Sequence, residues 1–293
     1  MHSEPKTMRP RILVTGATGR LGRELVRRLI GGEEFVRVGT RWPERAQALF
    51  GEHVEVVELD YTSTETYDAA VQWVDRVFLS PPPFDPDAAD TLTAFLDWVV
   101  DTGANRIVLL SAMGTEHVPE LPLRRLEQHL EALDVDRVVL RPNLYMQNFS
   151  DGPFGDEIRE RGTFELCAGS GRVSFVDVRD VAAVAATALK AEPLARPALT
   201  LTGPAALSFA EAAAALADAA GLRVEYRPVD ADRMRESLRD RRWPDRQAEV
   251  AVRMFRSVAD GRREPVTTDI ESVLGRPAIS FDAFANEAAE ALR

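Results

Sequence analysis

The chain has 293 residues, 45% hydrophobic and 28% charged, with a formal net charge of -11, so it has the make-up of a globule large enough for one substantial α/β unit or a nucleotide domain with an appendage. The acidic balance argues against nucleic acid as a partner, because phosphate binding needs a positive surface. Cys167 is the only cysteine, which excludes an intrachain disulfide and a cysteine metal cluster, and no metal site is expected. No apolar run reaches the ~18 residues of a membrane span and residues 1–10 lack the apolar core of a signal peptide, so no membrane partner and a cytoplasmic location are expected.

Residues 1–10 read as a loose tail. Residues 11–23 then read as an apolar strand, a glycine-rich turn and the first turn of a helix, with Gly16, Gly19 and Gly22 in the spacing G-x-x-G-x-x-G. Gly16 lets the chain turn sharply, Gly19 lets backbone approach a pyrophosphate, and Gly22 lets the helix lie close to the sheet. The free N–H groups and positive end of that helix then face phosphate. This strand–turn–helix context points to dinucleotide binding. Leu21, Leu25, Val26 and Leu29 form the apolar stripe of the helix, and Gly31-Gly32 ends it.

Further strands are expected at 35–40, 54–59, 77–80, 106–111 and 137–141. Helices are expected at 43–50, 64–73, 87–100 and 123–133, Gly103 ending the third of these. Alternating strands and helices with nearly unbroken apolar strand cores mean a parallel sheet covered on both faces, a doubly wound α/β fold. Beyond Pro142 the rhythm changes. Residues 143–151 and 164–176 look irregular or like short strands. Helices are expected at 177–189, 208–220, 230–240, 244–260 and 280–292, the last capped by Ser280, and strands at 198–202 and 224–228. The expected organisation is a nucleotide-binding domain over 11–142 and a small α+β cap over 143–293, packed discontinuously on the first and closing over the strand ends, where ligands of such sheets bind.

Three segments resemble the NmrA-like family of atypical short-chain dehydrogenases/reductases: Val14-Thr15-Gly16-Ala17-Thr18-Gly19, Leu140-Arg141-Pro142 with Met146 and Asn148-Phe149 just after, and Phe175-Val176-Asp177-Val178-Arg179-Asp180-Val181. Leu201-Thr202-Gly203-Pro204 fits as well, and the resemblance runs from Arg11 through the helical end. It implies a Rossmann-type fold and NADP(H) as cofactor, in a family that holds both quinone reductases and NADP-sensing regulators.

Candidate cofactor residues follow from position. Gly16, Thr18, Gly19 and Leu21 line the pyrophosphate, and Arg20 reads equally as a phosphate contact or a solvated arginine. Arg41 lies 19 residues after Gly22 at the end of the second strand, where a carboxylate would select NAD. A guanidinium matches a 2′-phosphate instead, which favours NADP. Asp60 and Tyr61 end the third strand, where adenine rests, although Asp60 also reads as a turn former. Ser80, Pro81 and Pro82 end the fourth strand, and the resemblance sets them against the nicotinamide-side ribose.

Candidate catalytic residues are Ser111, at the end of the fifth strand, and Tyr145, after the sixth. A typical short-chain dehydrogenase pairs a proton-donating tyrosine with a lysine four residues later. Residues four beyond Tyr61, Tyr67, Tyr145 and Tyr226 are Glu65, Val71, Phe149 and Asp230, and the only lysines are Lys6 and Lys190. Relatives keep a lysine four residues before a helix glutamate; with Glu127 as that glutamate, the lysine position holds Leu123. His117 and Asn143 are the other polar groups near the cleft, while Asp177, Arg179 and Asp180 read as a network tying cap to sheet, and residues 233–242 as a solvated helix face.

Three functions fit. The first is an NADPH-dependent oxidoreductase that reduces a quinone or conjugated carbonyl by direct hydride transfer. The second is a regulator that binds NADP without turnover, and the third a tailoring enzyme doing non-redox cyclisation or isomerisation. The expected partner is a small-molecule substrate, and a homo-oligomer is compatible with the sequence.

Overall fold

A computed structural model describes residues 9–190 and 196–292, so the expected tail lies outside the described residues except for its last two positions. The first half alternates as expected: β1 (Arg11–Thr15), α1 (Arg20–Leu29), β2 (Phe35–Thr40), α2 (Pro43–Phe50), β3 (Glu55–Glu58), α3 (Tyr67–Val71), β4 (Arg76–Leu79), α4 (Ala88–Asp101), β5 (Arg106–Leu110), α5 (Pro122–Ala132) and β6 (Asp136–Pro142). The second half carries α6 (Pro153–Arg161), β7 (Thr163–Leu166), β8 (Arg172–Val173), α7 (Val178–Lys190), β9 (Ala198–Leu201), β10 (Leu207–Ser208), α8 (Phe209–Ala220), β11 (Glu225–Pro228), α9 (Ala231–Asp240), α10 (Asp245–Ala259), α11 (Asp269–Leu274) and α12 (Phe281–Ala288).

Seven strands form one parallel sheet in the order β3-β2-β1-β4-β5-β6-β9. The order reverses between β1 and β4, which opens a crevice at their carboxyl ends. On one face, Leu25 and Val26 of α1 and Val181 and Ala185 of α7 are fully buried in a common core. On the other, Tyr67, Phe95 and Leu126 bring α3, α4 and α5 together. Arg37 interrupts the apolar run of β2, yet it is buried. Its guanidinium is held bidentately by Glu55 on β3 and also donates to the Ala69, Ala70 and Gln72 carbonyls at the end of α3.

The sheet does not stop at residue 141. β9 pairs with β6 in register Val139↔Ala198, and α7 covers the sheet beside α1, so the main parallel sheet continues past residue 142. The remaining elements share a separate aromatic core. The Phe149 ring lies 5.3 to 6.1 Å from the rings of Phe154, Phe164, Phe175, Phe209 and Phe281. Two small sheets edge it, β11 parallel to β7 and β10 antiparallel to β8.

Caps follow chemistry written in the chain. Ser208 and Glu211 form a reciprocal capping box on α8, and Ser280 accepts from Ala283 N as expected. The helix expected over 64–73 is shorter. It begins as a 3-10 turn and ends at Val71, with Trp73 in a left-handed conformation at φ 59°. α6 was not expected, although Pro153 at its start and left-handed Gly162 at its end are ordinary boundary signals.

Gly22 fixes how closely α1 approaches β1. A Cβ there would lie 2.3 Å from the Gly16 carbonyl oxygen and 2.5 Å from the Ala17 Cα, both backbone atoms that cannot swing aside. We therefore expect Gly22→Ala to lower unfolding stability by about 1–3 kcal/mol, the usual cost of overpacking. Chemical denaturation measures it, and an unchanged midpoint would contradict the packing described.

Candidate active site

The crevice is built from the β1 and β4 ends. Thr15 Oγ1 donates to the Phe78 carbonyl at 3.1 Å and accepts from Ser80 N at 2.9 Å, which pins the two strands at the point where the sheet order reverses. Gly16 has φ 64°, and a Cβ on it would meet Ser80 Cβ and Oγ at 2.9 Å. Gly19 N donates to Gly16 O at 3.0 Å and closes the turn. Gly19 is the N-cap of α1, no side chain caps the helix, and its first turn holds no acidic residue. These open N–H groups and an uncompensated positive helix end suit a diphosphate, so the chain fits a dinucleotide here. Thr18 is half-buried at the turn, while the Leu21 side chain is buried in the core and leaves only backbone to a ligand.

Arg20 is not a free solvated arginine. Its guanidinium crosses to the segment after β6, donating to Gln147 O at 3.1 Å and Asn148 Oδ1 at 2.9 Å, with Asp151 at 3.7 Å. It bridges the start of α1 to the loop leading into the second half.

Arg41 is exposed at the tip of β2, beside exposed Trp42. Asp60, at the neighbouring tip, accepts from Thr62 N and Thr62 Oγ1, and these bonds, with Arg41 nearby, hold its carboxyl below the usual range. Tyr61 follows the same strand with its phenol turned inward. Its hydroxyl is buried near Thr15 with no hydrogen-bond partner, its ring packs on Phe95 at 5.3 Å, and burial pushes the phenol well above its ordinary value. The phenol therefore points into the protein, toward Thr15 and Phe95.

After β4, Ser80 and Pro81 are half-buried and Pro82 is exposed. The loop then reaches the second half: Phe84, at φ 56°, packs on Trp243 with ring centroids 5.5 Å apart, and Asp87 pairs bidentately with Arg246.

Ser111 is buried after β5, with its Oγ against the carboxylate of Glu127 and no hydrogen bond of normal geometry closed between them. Glu127 is fully buried on α5 and bound by Arg141 at 2.7 and 3.0 Å and by Arg124 at 2.8 Å. Leu123 lies one turn earlier on the same face. Lys190 is far from this edge, paired with Glu34 at 3.0 Å before β2. Tyr145 is half-buried against the α1–α7 core, and burial raises its phenol strongly, opposed by nearby Arg20. His117 is exposed, 3.9 Å from Glu116. Asn143 is structural: its amide donates to Ser174 Oγ and Arg263 O, both at 2.8 Å, and its oxygen accepts from Leu144 N. Asp180 accepts from Ile279 N and pairs with Arg276, and Arg179 bridges Asp177 and Glu287, so these residues tie the elements together as expected.

One residue at this edge escaped the sequence reading. Arg263, between α10 and α11, donates to Met113 O after β5 and to Ser257 Oγ at 3.1 Å. Its signal, an arginine among others between Gly261 and Pro265, is indistinguishable from a surface loop. Among the described residues no helix is long and apolar enough to cross a membrane.

Comparison with known proteins agrees with this construction. Residues 16–192 match the family model described as NAD(P)H-binding. An NAD(P)H azoreductase of Xenophilus azovorans is 30% identical over 286 residues, covering 96% of this chain and 98% of that protein. A (4-alkanoyl-5-oxo-2,5-dihydrofuran-3-yl)methyl phosphate reductase of Streptomyces griseus is 32% identical over 286 residues, with the same 96% and 98% coverage. The structure of an NADPH-dependent quinone oxidoreductase from Escherichia coli, complexed with NADPH, superposes with a TM-score of 0.80 at 22% identity, covering 94% of this chain and 99% of that one.

The Glu127 cluster makes a stability prediction with a defined sign. Burial pushes the Glu127 carboxyl up, but the Arg141 bonds, the adjacent Ser111 hydroxyl and the Arg124 bond outweigh it, and the net pKa lies below the ordinary 4.5. The unfolded carboxyl therefore takes up its proton first as pH falls. The stability it contributes is complete above about 4.5 and is lost as pH drops through the lower folded value. Glu127→Gln removes the buried anion shared by Arg141 and Arg124, leaving them Glu116 at 3.6 Å and Glu131 at 2.8 Å, and should cost about 1.5–3 kcal/mol at neutral pH, with a flattened acid limb. Urea unfolding between pH 3 and 7 reads both, and an unaltered acid limb would contradict this assignment.

Proposed function

Because the chain belongs to the NAD(P)H-binding family, within the NmrA-like group of atypical short-chain dehydrogenases/reductases, we propose that it is an NADPH-dependent oxidoreductase that reduces a quinone or conjugated carbonyl by direct hydride transfer. The observation that carries this reading is an intact, uncapped glycine turn at the β1–β4 crevice with Leu123, not lysine, on the α5 face beside Ser111. Relatives named for azo, quinone and unsaturated furanone acceptors support it, because each named acceptor is an electron-poor conjugated system.

Bound NADPH supplies the hydride. Gly16, Thr18, Gly19 and Leu21 hold the diphosphate through backbone and short side chains, and Arg20 joins them by releasing Gln147 and Asn148. Arg41 takes the 2′-phosphate, Asp60 edges the adenine with Tyr61 beneath it, and Ser80, Pro81 and Pro82 wall the nicotinamide-side ribose. Residues 143–293 shape the pocket for the small-molecule acceptor. A conjugated acceptor spreads the incoming negative charge, so solvent can protonate the product, whereas a simple ketone would form an alkoxide that needs a positioned acid. Ser111 and Tyr145 orient the acceptor.

Two outcomes are expected. A charged hydrogen bond contributes about 1.5–3 kcal/mol, so Arg41→Ala should weaken NADPH binding by about 10–100-fold in calorimetry and barely change NADH binding. Equal losses for both cofactors would show that Arg41 does not read the 2′-phosphate. In anaerobic NADPH oxidation, quinones and enones should turn over while simple ketones do not, and Ser111→Ala or Tyr145→Phe should slow turnover by about tenfold or less. Simple ketones serving equally well, or NADPH consumed with none of the panel, would overturn the reading.

A further inference from the structure

The segment between α10 and α11 lies across the carboxyl ends of β5 and β6. Its backbone is anchored there: Arg263 O accepts from Asn143 Nδ2 at 2.8 Å and Ser174 N at 3.1 Å, and Pro265 O accepts from Ser174 Oγ at 2.8 Å. Any side chain at position 263 is therefore delivered to the same place. The arginine present spends Nη1 on Met113 O and Nε on Ser257 Oγ, and Nη2 has no hydrogen bond to a described residue.

This guanidinium is unusual in its charge environment. Among the described residues no carboxylate lies within ion-pair distance of it. The nearest opposing charge, Glu116, instead lies 3.6 Å from Arg141. The side chain is half-buried, and this partial loss of water lowers its pKa to about 10. A desolvated cation without a carboxylate is costly unless something else takes up its field. Several exposed arginines, Arg41 among them, also lack a carboxylate, but Arg263 is half-buried at the strand ends with Nη2 unspent, which leaves a charged donor for an anion at this edge.

We propose that Arg263 is the oxyanion-binding residue of the acceptor pocket, with Nη2 donating to the acceptor oxygen that gains negative charge during reduction. The proposal rests on the oxidoreductase reading above. Hydride adds to the conjugated carbon of the acceptor, the π pair moves onto oxygen, and water protonates that oxygen. Arg263 donates a hydrogen bond throughout and keeps its protons. A fixed cation thus performs the stabilising part of the work that a tyrosine–lysine pair performs elsewhere, without serving as an acid.

The test is equilibrium binding to the full chain saturated with NADP+, followed by tryptophan fluorescence, using 2-hydroxy-1,4-naphthoquinone, an anion at neutral pH, and neutral 1,4-naphthoquinone. Wild type should bind the anion more tightly. Arg263→Gln keeps a donor but removes the charge and should lose about 10–100-fold for the anion and little for the neutral quinone, while Arg263→Lys retains most of the preference. NADP+ affinity and Tm should stay near wild type, and kcat for a quinone should fall by about 10²–10³-fold in Arg263→Gln with a smaller change in KM. No anion preference in wild type, or equal losses for both quinones, would overturn the proposal and leave Arg263 a loop tie. Absence of NADPH oxidation by wild type would instead remove the oxidoreductase reading, and the anion preference would still be readable.

Discussion

The approach of Gly22 to the Gly16 carbonyl is the constraint on which the rest of the structure depends. It lets α1 start directly over the end of β1, with its N–H groups open and its positive end at the crevice where the strand order turns back. Thr15 and Ser80 hold the opposite wall of that crevice through one shared hydroxyl. On the far side of α1, α7 fills the layer with small and branched residues such as Val181, Ala182 and Ala185. A bulkier residue at position 22 would lift the helix, and the anion site and the α1–α7 packing would move together.

The other end of the crevice is governed by charge. Glu127 sits with no exposure beneath the β5 end, held by Arg141 and Arg124, and Glu116 extends the series toward Arg263. Each buried ion is tolerable because its neighbour is opposite in sign, except at Arg263, where the series runs out of carboxylates. Position 123, one turn before Glu127, is apolar, and positive charge enters the edge from Arg263 on a different element. That arrangement suits an acceptor that stores negative charge over a conjugated system.

Local order was legible in the chain because its causes are local. Strand runs, the Leu21–Leu29 stripe, the Ser208 and Ser280 caps and the glycine turn each depend on residues a few positions apart. Arg20 was ambiguous because its partners Gln147 and Asn148 lie 127 and 128 residues away. Tyr61 sits at the expected strand end, but the direction of its hydroxyl depends on packing against Phe95, which no spacing encodes. The seventh strand came from beyond the expected boundary because a four-residue strand carries no sign of which sheet it joins. Arg263 was invisible for the same reason in stronger form. Its importance lies in what surrounds it after folding, namely the β5 end, a buried asparagine and the lack of a nearby carboxylate.

On the proposed reading this crevice passes hydride directly from cofactor to acceptor. That transfer is tested most directly with NADPH deuterated at C4 on one face at a time and an enone acceptor, whose new C–H bond does not exchange with water. Mass analysis of the product should find deuterium from one face only, bound at the carbon that was conjugated with the carbonyl. Deuterium from neither face, with NADPH unconsumed, or from both faces equally would contradict the account.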